Sequence, residues 1–218
     1  MPLHDEVAPP GTSLTRARTT PLALAPIPGI LRERHDGGTG AGMASRYTFT
    51  EYSPEWPARF AREAERLGAL LGEELVGIHH IGSTSVPGLA AKPIIDLLPL
   101  VRDLTRMDEH NAKLQAAGYQ AWGECGLPGR RYFTRDHDGY RTHNIHIYQV
   151  DDPQVDRHLA FCAYLREHEG ARREYEALKR QVYALHPDDI AAYNHGKDAW
   201  IKQLEQLALP WYRQRKEP

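Results

Sequence analysis

Cysteine is nearly absent from this 218-residue chain, and the two present, Cys125 and Cys162, stand far apart with no CxxC pairing. That spacing excludes a zinc knuckle and a disulfide framework and leaves two buried or inert thiols as the reading. Long apolar runs are lacking as well, so no segment approaches the length of a membrane span. The N-terminus carries Asp5 and Glu6 where a secretory leader needs basic residues ahead of an apolar core, and the cytoplasm is the expected compartment. Nor is there a basic excess. The formal net charge of -2 argues against nucleic acid as a partner, because such a ligand is held largely through its phosphates. Both the P-loop pattern GxxxxGKS/T and the dinucleotide fingerprint GxGxxG are missing.

What is present is an ordinary globular composition, 41% hydrophobic and 26% charged, in a chain long enough for one substantial domain plus a tail. Residues 1–45 are rich in Pro, Gly and Thr, as in Gly37-Gly38-Thr39-Gly40, and lack any apolar period that buries a face, so they read as a disordered extension. The folded domain is expected over residues 46–212. Tyr47-Thr48-Phe49 reads as a short strand, and Ser53-Pro54-Glu55-Trp56 as a helix start with an N-cap. Trp56, Phe60, Ala64, Leu67, Leu71 and Leu75 then share one helical stripe. Val76 to Ile81 and Pro93 to Val101 read as strands around a loop from Ser83 to Lys92, and Leu104, Met107 and Leu114 as one amphipathic helix closed by Gly118. Strands are expected at Tyr119–Glu124, Arg131–Arg135 and Thr142–Val150, the last two joined by the turn Asp136-His137-Asp138-Gly139. From Val155 the pattern is helical to the end, broken at Pro187-Asp188-Asp189. The order predicts an α/β (α+β) fold, a mixed β-sheet flanked by helices with a helical C-terminal part.

Two features carry chemistry. Ile81-Gly82-Ser83-Thr84-Ser85 combines a strand end, a glycine and three hydroxyls. Such a turn serves either as an ordinary hydroxylated loop or as a cradle that points N–H and hydroxyl groups at a phosphate. Asp96 lies about a dozen residues on, inside the apolar run Pro93-Ile94-Ile95-Asp96-Leu97-Leu98. A carboxylate in a buried strand needs a hydrogen-bond partner, a cation or a function.

Gly82-Ser83 after one strand and Asp96 on the next resemble the Gly-Ser and acid-x-acid signature of the nucleotidyltransferase superfamily. The longer string His80 to Asp96 is similar to the pattern of the GrpB family, as are Tyr52-Ser53-Pro54-Glu55-Trp56, Gly123-Glu124, Gly129-Arg130-Arg131, His143-Asn144-Ile145-His146, and Tyr193 with Lys197. The likeness spans about residues 47–205. It implies a nucleotidyltransferase-like fold in which the Gly-Ser turn binds a nucleotide or other phosphorylated small molecule and strand carboxylates hold divalent metal, Mg²⁺ or Mn²⁺, near the reacting phosphorus. The family does not itself fix a substrate or reaction.

The chain departs from the superfamily pattern where the second acid belongs, because that position is Leu98, on the same strand face as Asp96. The late strand that usually carries a third acid offers Asn144 and His146. An Asp and His set suits Zn²⁺ or Mn²⁺ better than two Mg²⁺ ions, and His143 joins it only if the strand is bulged. The expected catalytic residues are thus Asp96, His146 and Glu124, with Asp96, His146 and His143 as metal ligands. Gly82, Ser83, Thr84, Ser85, Lys92, Arg130, Arg131 and Lys197 are the expected phosphate contacts, the Gly-flanked arginine pair acting as a clamp. Three functions fit these residues: metal-assisted nucleotidyl or related group transfer to a small-molecule acceptor, a regulatory module that binds nucleotide or anion with a degenerate metal site, and a single-transition-metal hydrolase or ligase.

Overall fold

A computed structural model describes residues 48–216. The extension read at 1–45, and Arg46 and Tyr47, lie outside the described residues. Six helices and five strands are present among those described: α1 (Trp56–Leu71), β1 (Leu75–Ile81), β2 (Ile95–Val101), α2 (Leu104–Asp108), α3 (Asn111–Ala116), β3 (Gln120–Ala121), β4 (Arg131–His137), β5 (Tyr140–Gln149), α4 (Pro153–Glu167), α5 (Glu169–Leu185) and α6 (Ile190–Gln214). The sheet order is β1-β2-β5-β4-β3. β2 runs parallel to β5, and the other neighbours are antiparallel. This is the expected mixed sheet flanked by helices.

Side-chain alternation sorts the sheet into two faces. Ile95, Leu97, Ile145 and Ile147 pack with Trp56, Leu67 and Leu71 of α1 and with Met107 and Leu114. Their neighbours Leu98, Leu100 and Tyr148 pack on the opposite face with Val155 and Cys162 of α4. Strand β2 is covered on both faces, which accounts for its nearly unbroken apolar sequence. A third cluster joins Val86 and Leu89, from the loop after β1, to Tyr175 and Val182 of α5 and to Tyr193 and Trp200 of α6. That cluster fastens the β1–β2 loop to the C-terminal helices and so builds the site.

Several local expectations shift. Thr48 and Phe49 form no strand, but Thr50 bridges to Ala91. Ser53 does not cap α1, because its hydroxyl accepts from Glu55 N–H one turn early. Leu75 opens β1 rather than closing the stripe of α1, which ends at Gly72 with φ +56. The helix read across Leu104 to Leu114 is two short helices, the first capped by Asp103, which accepts from Thr105 N–H at 2.7 Å. Strand β3 stops after two residues, because Gly123, Cys125 and Gly126 take positive φ and turn the chain away. The C-terminal helical run has an extra break at His168. Cys162 is buried and Cys125 exposed. No helix among the described residues is long and apolar enough to cross a membrane.

Candidate functional site

The end of β1 pairs Ile81 with Asp96, the second residue of β2. The next residue, Gly82, leaves the strand at φ +69, a conformation that favours glycine. A Cβ at that position would collide with Asp96 Oδ2. Gly82 is therefore fixed twice, by its dihedral and by the carboxylate against its Cα. Gly82→Ala is expected to cost about 1–3 kcal/mol from strain alone and to push Asp96 out of register, visible as a lower melting temperature and loss of ligand-induced stabilisation. A variant that melts like the parent would show that the turn relaxes freely.

Asp96 is partly accessible, with 25% of its side chain exposed. Its Oδ1 accepts 2.8 Å from Asn144 Nδ2 and lies 3.6 Å from His146 Nε2. Asn144 is aimed in turn by Tyr132, whose hydroxyl donates to Asn144 Oδ1 at 2.9 Å. Burial, followed by the Asp96 charge, pushes the Tyr132 hydroxyl up to about 12, so it stays a donor at neutral pH. The expected face-sharing of Asn144 and His146 with Asp96 is observed in a regular strand.

Facing this carboxylate is a cavity of about 450 Å³ closed by the C-terminal helices, a volume within the range of small-ligand sites, roughly 300–1,000 Å³. Lys92, Lys197 and the Ser83 turn line it. Lys92 Nζ and Lys197 Nζ sit 4.7 Å and 4.2 Å from the centroid of the Tyr193 ring. From α5, Lys179 donates to Ser83 Oγ at 3.2 Å and to the Ala90 carbonyl. Burial lowers all three: Lys92 to about 8, with Asp96 opposing; Lys197 to about 7, with Lys92 adding; and Lys179 to about 7, with Lys197 adding. Two of these desolvated amines, Lys92 and Lys197, line the cavity, while Lys179 is fully buried and holds the Ser83 turn. Asp96 is the one carboxylate on the cavity wall among the described residues.

The other predicted residues scatter. Thr84 is buried, with its hydroxyl donating to the Ile94 carbonyl and 3.0 Å from His80 Nε2. Ser85 donates to the Gly82 carbonyl at 2.7 Å. Both hydroxyls thus shape the turn, and Ser83, which lines the cavity, accepts from Lys179. The expected arginine clamp is not formed. Arg130 is buried, bonded to the Glu124 and Cys125 carbonyls and 3.4 Å from His146 Nδ1, so it sets the loop and His146. Arg131 forms a two-pronged ion pair with Asp108 of α2 on the other sheet face. Glu124 is exposed and accepts from Gly129 N–H, a loop brace away from Asp96. His143 lies on the α1 face and not with Asp96 and His146, because β5 has no bulge at residues 143–146. Among the described residues no three His, Cys, Asp or Glu side chains are grouped to hold a metal ion. Lys179 and Arg141, which lines the cavity wall, were not expected from sequence. Arg141 looks like a hairpin residue, and Lys179 looks like a solvent position on α5.

The first two strands of the mixed sheet thus set a Gly-Ser turn against a strand aspartate, as the residue pattern implied. A family model described as "GrpB protein" matches residues 46–207, and the chain belongs to the GrpB family. It is 45% identical over 164 residues to the UPF0157 protein YqkA of Bacillus subtilis (strain 168), covering 75% of this chain and 48% of that protein. It is 38% identical over 159 residues to the UPF0157 protein PA4798 of Pseudomonas aeruginosa, covering 72% and 65%. The chain thus spans about half to two thirds of these relatives' length. The crystal structure of conserved protein GrpB from Enterococcus faecalis superposes with a TM-score of 0.72 at 46% identity, over 76% of this chain and 99% of that one.

Proposed function

We propose that the cavity binds the phosphates of a nucleotide or another phosphorylated small molecule, and that the protein transfers a nucleotidyl or related group from it to a small-molecule acceptor with the help of one divalent cation. The observation that carries this reading is that Lys92, Lys197 and Ser83 line one cavity with Asp96, Ser83 being held by the buried Lys179. Lysine supplies point charge for phosphate oxygens, and the Tyr193 ring packs against both amines that line the cavity. The donor set suits a single ion. Asp96 offers one carboxylate, and ligand phosphate and water complete a shell of the kind Mg²⁺ or Mn²⁺ accepts; His146, whose Nδ1 faces the Arg130 donor, turns an Nε2–H towards Asp96 and steadies it rather than offering the imidazole that would favour Zn²⁺. When bound, the cation supplies neutralisation of charge at the reacting phosphate. Asp96, steadied by Asn144, orients that end of the ligand, while the lysines hold the other.

A second reading, a regulatory module that binds the ligand without turning it over, is favoured by Leu98 standing in the place of the second acid. Thermal melts of the full chain with nucleoside mono-, di- and triphosphates, each with and without Mg²⁺, Mn²⁺ or Zn²⁺, test both. A ligand at about 100 times its Kd stabilises by about 2.7 kcal/mol. Asp96→Asn is expected to keep the fold, to bind phosphate more tightly without metal because an opposing charge is gone, and to lose both the metal-dependent increment and turnover. Silence across the whole panel sinks the binding assignment. A metal increment that survives Asp96→Asn, with no turnover by either protein, favours the regulatory module.

A further inference from the structure

On the other face of the sheet, α1 presents Arg59, Arg62 and Arg66 at spacings of three and four, one edge of the helix. Arg135 of β4 and His143 of β5, cross-strand partners, face them, and together these groups line a cavity of about 300 Å³. Glu63 is the one carboxylate in its wall, and it is fully engaged: Oε1 accepts from the Tyr119 hydroxyl at 2.5 Å and Oε2 from Arg135 at 2.6 Å. Arg66 donates to the Ala117 carbonyl, which carries no charge. Among the described residues, Arg59 and Arg62 have no carboxylate within ion-pair distance, and burial, followed by the Arg62 charge, loosens the hold of Arg59 on its proton.

Like charges one helical turn apart destabilise a helix, and the chain as a whole carries a net charge of -2. Clustering four guanidinium groups around one saturated carboxylate is therefore a local excess that an anion would relieve. Guanidinium forks match phosphate oxygens in pairs. The cavity is bounded by helix and sheet rather than drawn out as a stripe, and its size fits one or two phosphate groups, not a polymer backbone. At its inner wall His143 is buried, with Nδ1 2.9 Å from Thr142 Oγ1. Burial lowers it to about 4, with Arg59 and Arg135 adding and Glu63 and Asp96 opposing, so at neutral pH it stays uncharged and its ring N–H is a neutral donor.

We propose that this pocket is a second anion site, separate from the Asp96 cavity, which takes the phosphate groups of a small di- or triphosphate between Arg59, Arg62 and Arg135. The test uses inorganic pyrophosphate as probe and the full chain in a Lys197→Met background, which weakens the first site. Calorimetric titration is expected to show remaining pyrophosphate binding, and adding Arg59→Gln and Arg62→Gln is expected to weaken it at least 10-fold. Both positions reach the surface, and circular dichroism checks that the fold is intact. In parallel, the His143 ring resonances are expected to report a higher pKa when pyrophosphate is bound. Binding that vanishes with Lys197→Met alone, or that ignores the arginine pair, overturns the proposal. A single-stranded oligonucleotide that outcompetes pyrophosphate in an arginine-dependent way also overturns it, in favour of a nucleic-acid surface.

Discussion

Lys197→Met is expected to make the protein more stable and the proposed phosphate site much weaker at the same time. Lys197 is held among Lys92, Tyr193 and Asp96, and burial brings its amine down to about 7, from an ordinary value of 10.5. Between those two values the unfolded chain binds a proton that the folded chain does not, so stability rises with pH from about 7 towards 10. Lys179 and Lys92 slope the same way; the charged groups around them are Glu176, Arg180, Asp96 and one another. Below pH 7 the folded state carries the full burden of the buried charge. Methionine fills similar space without it. Relief of this kind is worth about 1–2 kcal/mol, or about 2–8 °C in a domain of this size.

The same substitution removes a charge-assisted contact worth about 1.5–3 kcal/mol to a bound phosphate, a loss of about 10- to 100-fold in affinity. A phosphate entering the parent recharges the amines, so binding takes up protons and weakens as pH rises from 7 to 9. Titration calorimetry in buffers of different ionisation enthalpy reads that uptake directly. An affinity that stays level across this range, or a Lys197→Met variant that melts below the parent, shows that the lysine is a structural group.

The parts of this site that were legible in sequence are those whose oddity is local. A glycine ahead of three hydroxyls and an acid in an apolar strand each contradict their immediate surroundings, and Gly82 and Asp96 meet through a β1–β2 register that the two strand patterns already imply. Asn144 and His146 followed from strand alternation. Lys179 did not, because on α5 it sits within a stretch rich in Arg and Glu, and only the packing of Val86 and Leu89 onto α5 and α6 brings it under the turn. Arg130 and Arg131 looked alike in their glycine-flanked string, yet Arg130 is the last loop residue, turned back onto the Glu124 and Cys125 carbonyls, and Arg131 opens β4. One steadies His146, and the other pairs with Asp108. The short breaks at Glu109 and His168 were hidden for the converse reason: the apolar spacing on either side continues across them.

Leu98→Asp restores, on paper, the acid pair of the nucleotidyltransferase pattern, and it is expected to unfold the protein rather than create a second metal ligand. Leu98 is fully buried in the cluster of Ile81, Leu100, Tyr148, Val155 and Cys162, roofed by α4. Deleting a buried leucine side chain costs about 2–5 kcal/mol, and a carboxylate in its place is taken out of water into a cluster that holds no cation. The sum approaches the whole stability of an ordinary domain, about 5–15 kcal/mol. Asp96 escapes this penalty one step nearer the strand end, where Asn144 and the cavity receive it. The difference between the two positions lies in α4, whose Val155 and Cys162 close over residue 98 but leave residue 96 open to the lysines. Leu98→Met, which keeps volume and polarity, is the control and is expected to melt within about 1.5 kcal/mol of the parent. Should Leu98→Asp instead fold and gain stability from Mg²⁺ or Mn²⁺, α4 is not a fixed roof, and the site accommodates two ions. With α4 in place, the cavity presents a single carboxylate, Asp96, opposite the amines of Lys92 and Lys197, which is the arrangement that the proposed phosphate site with one ion requires.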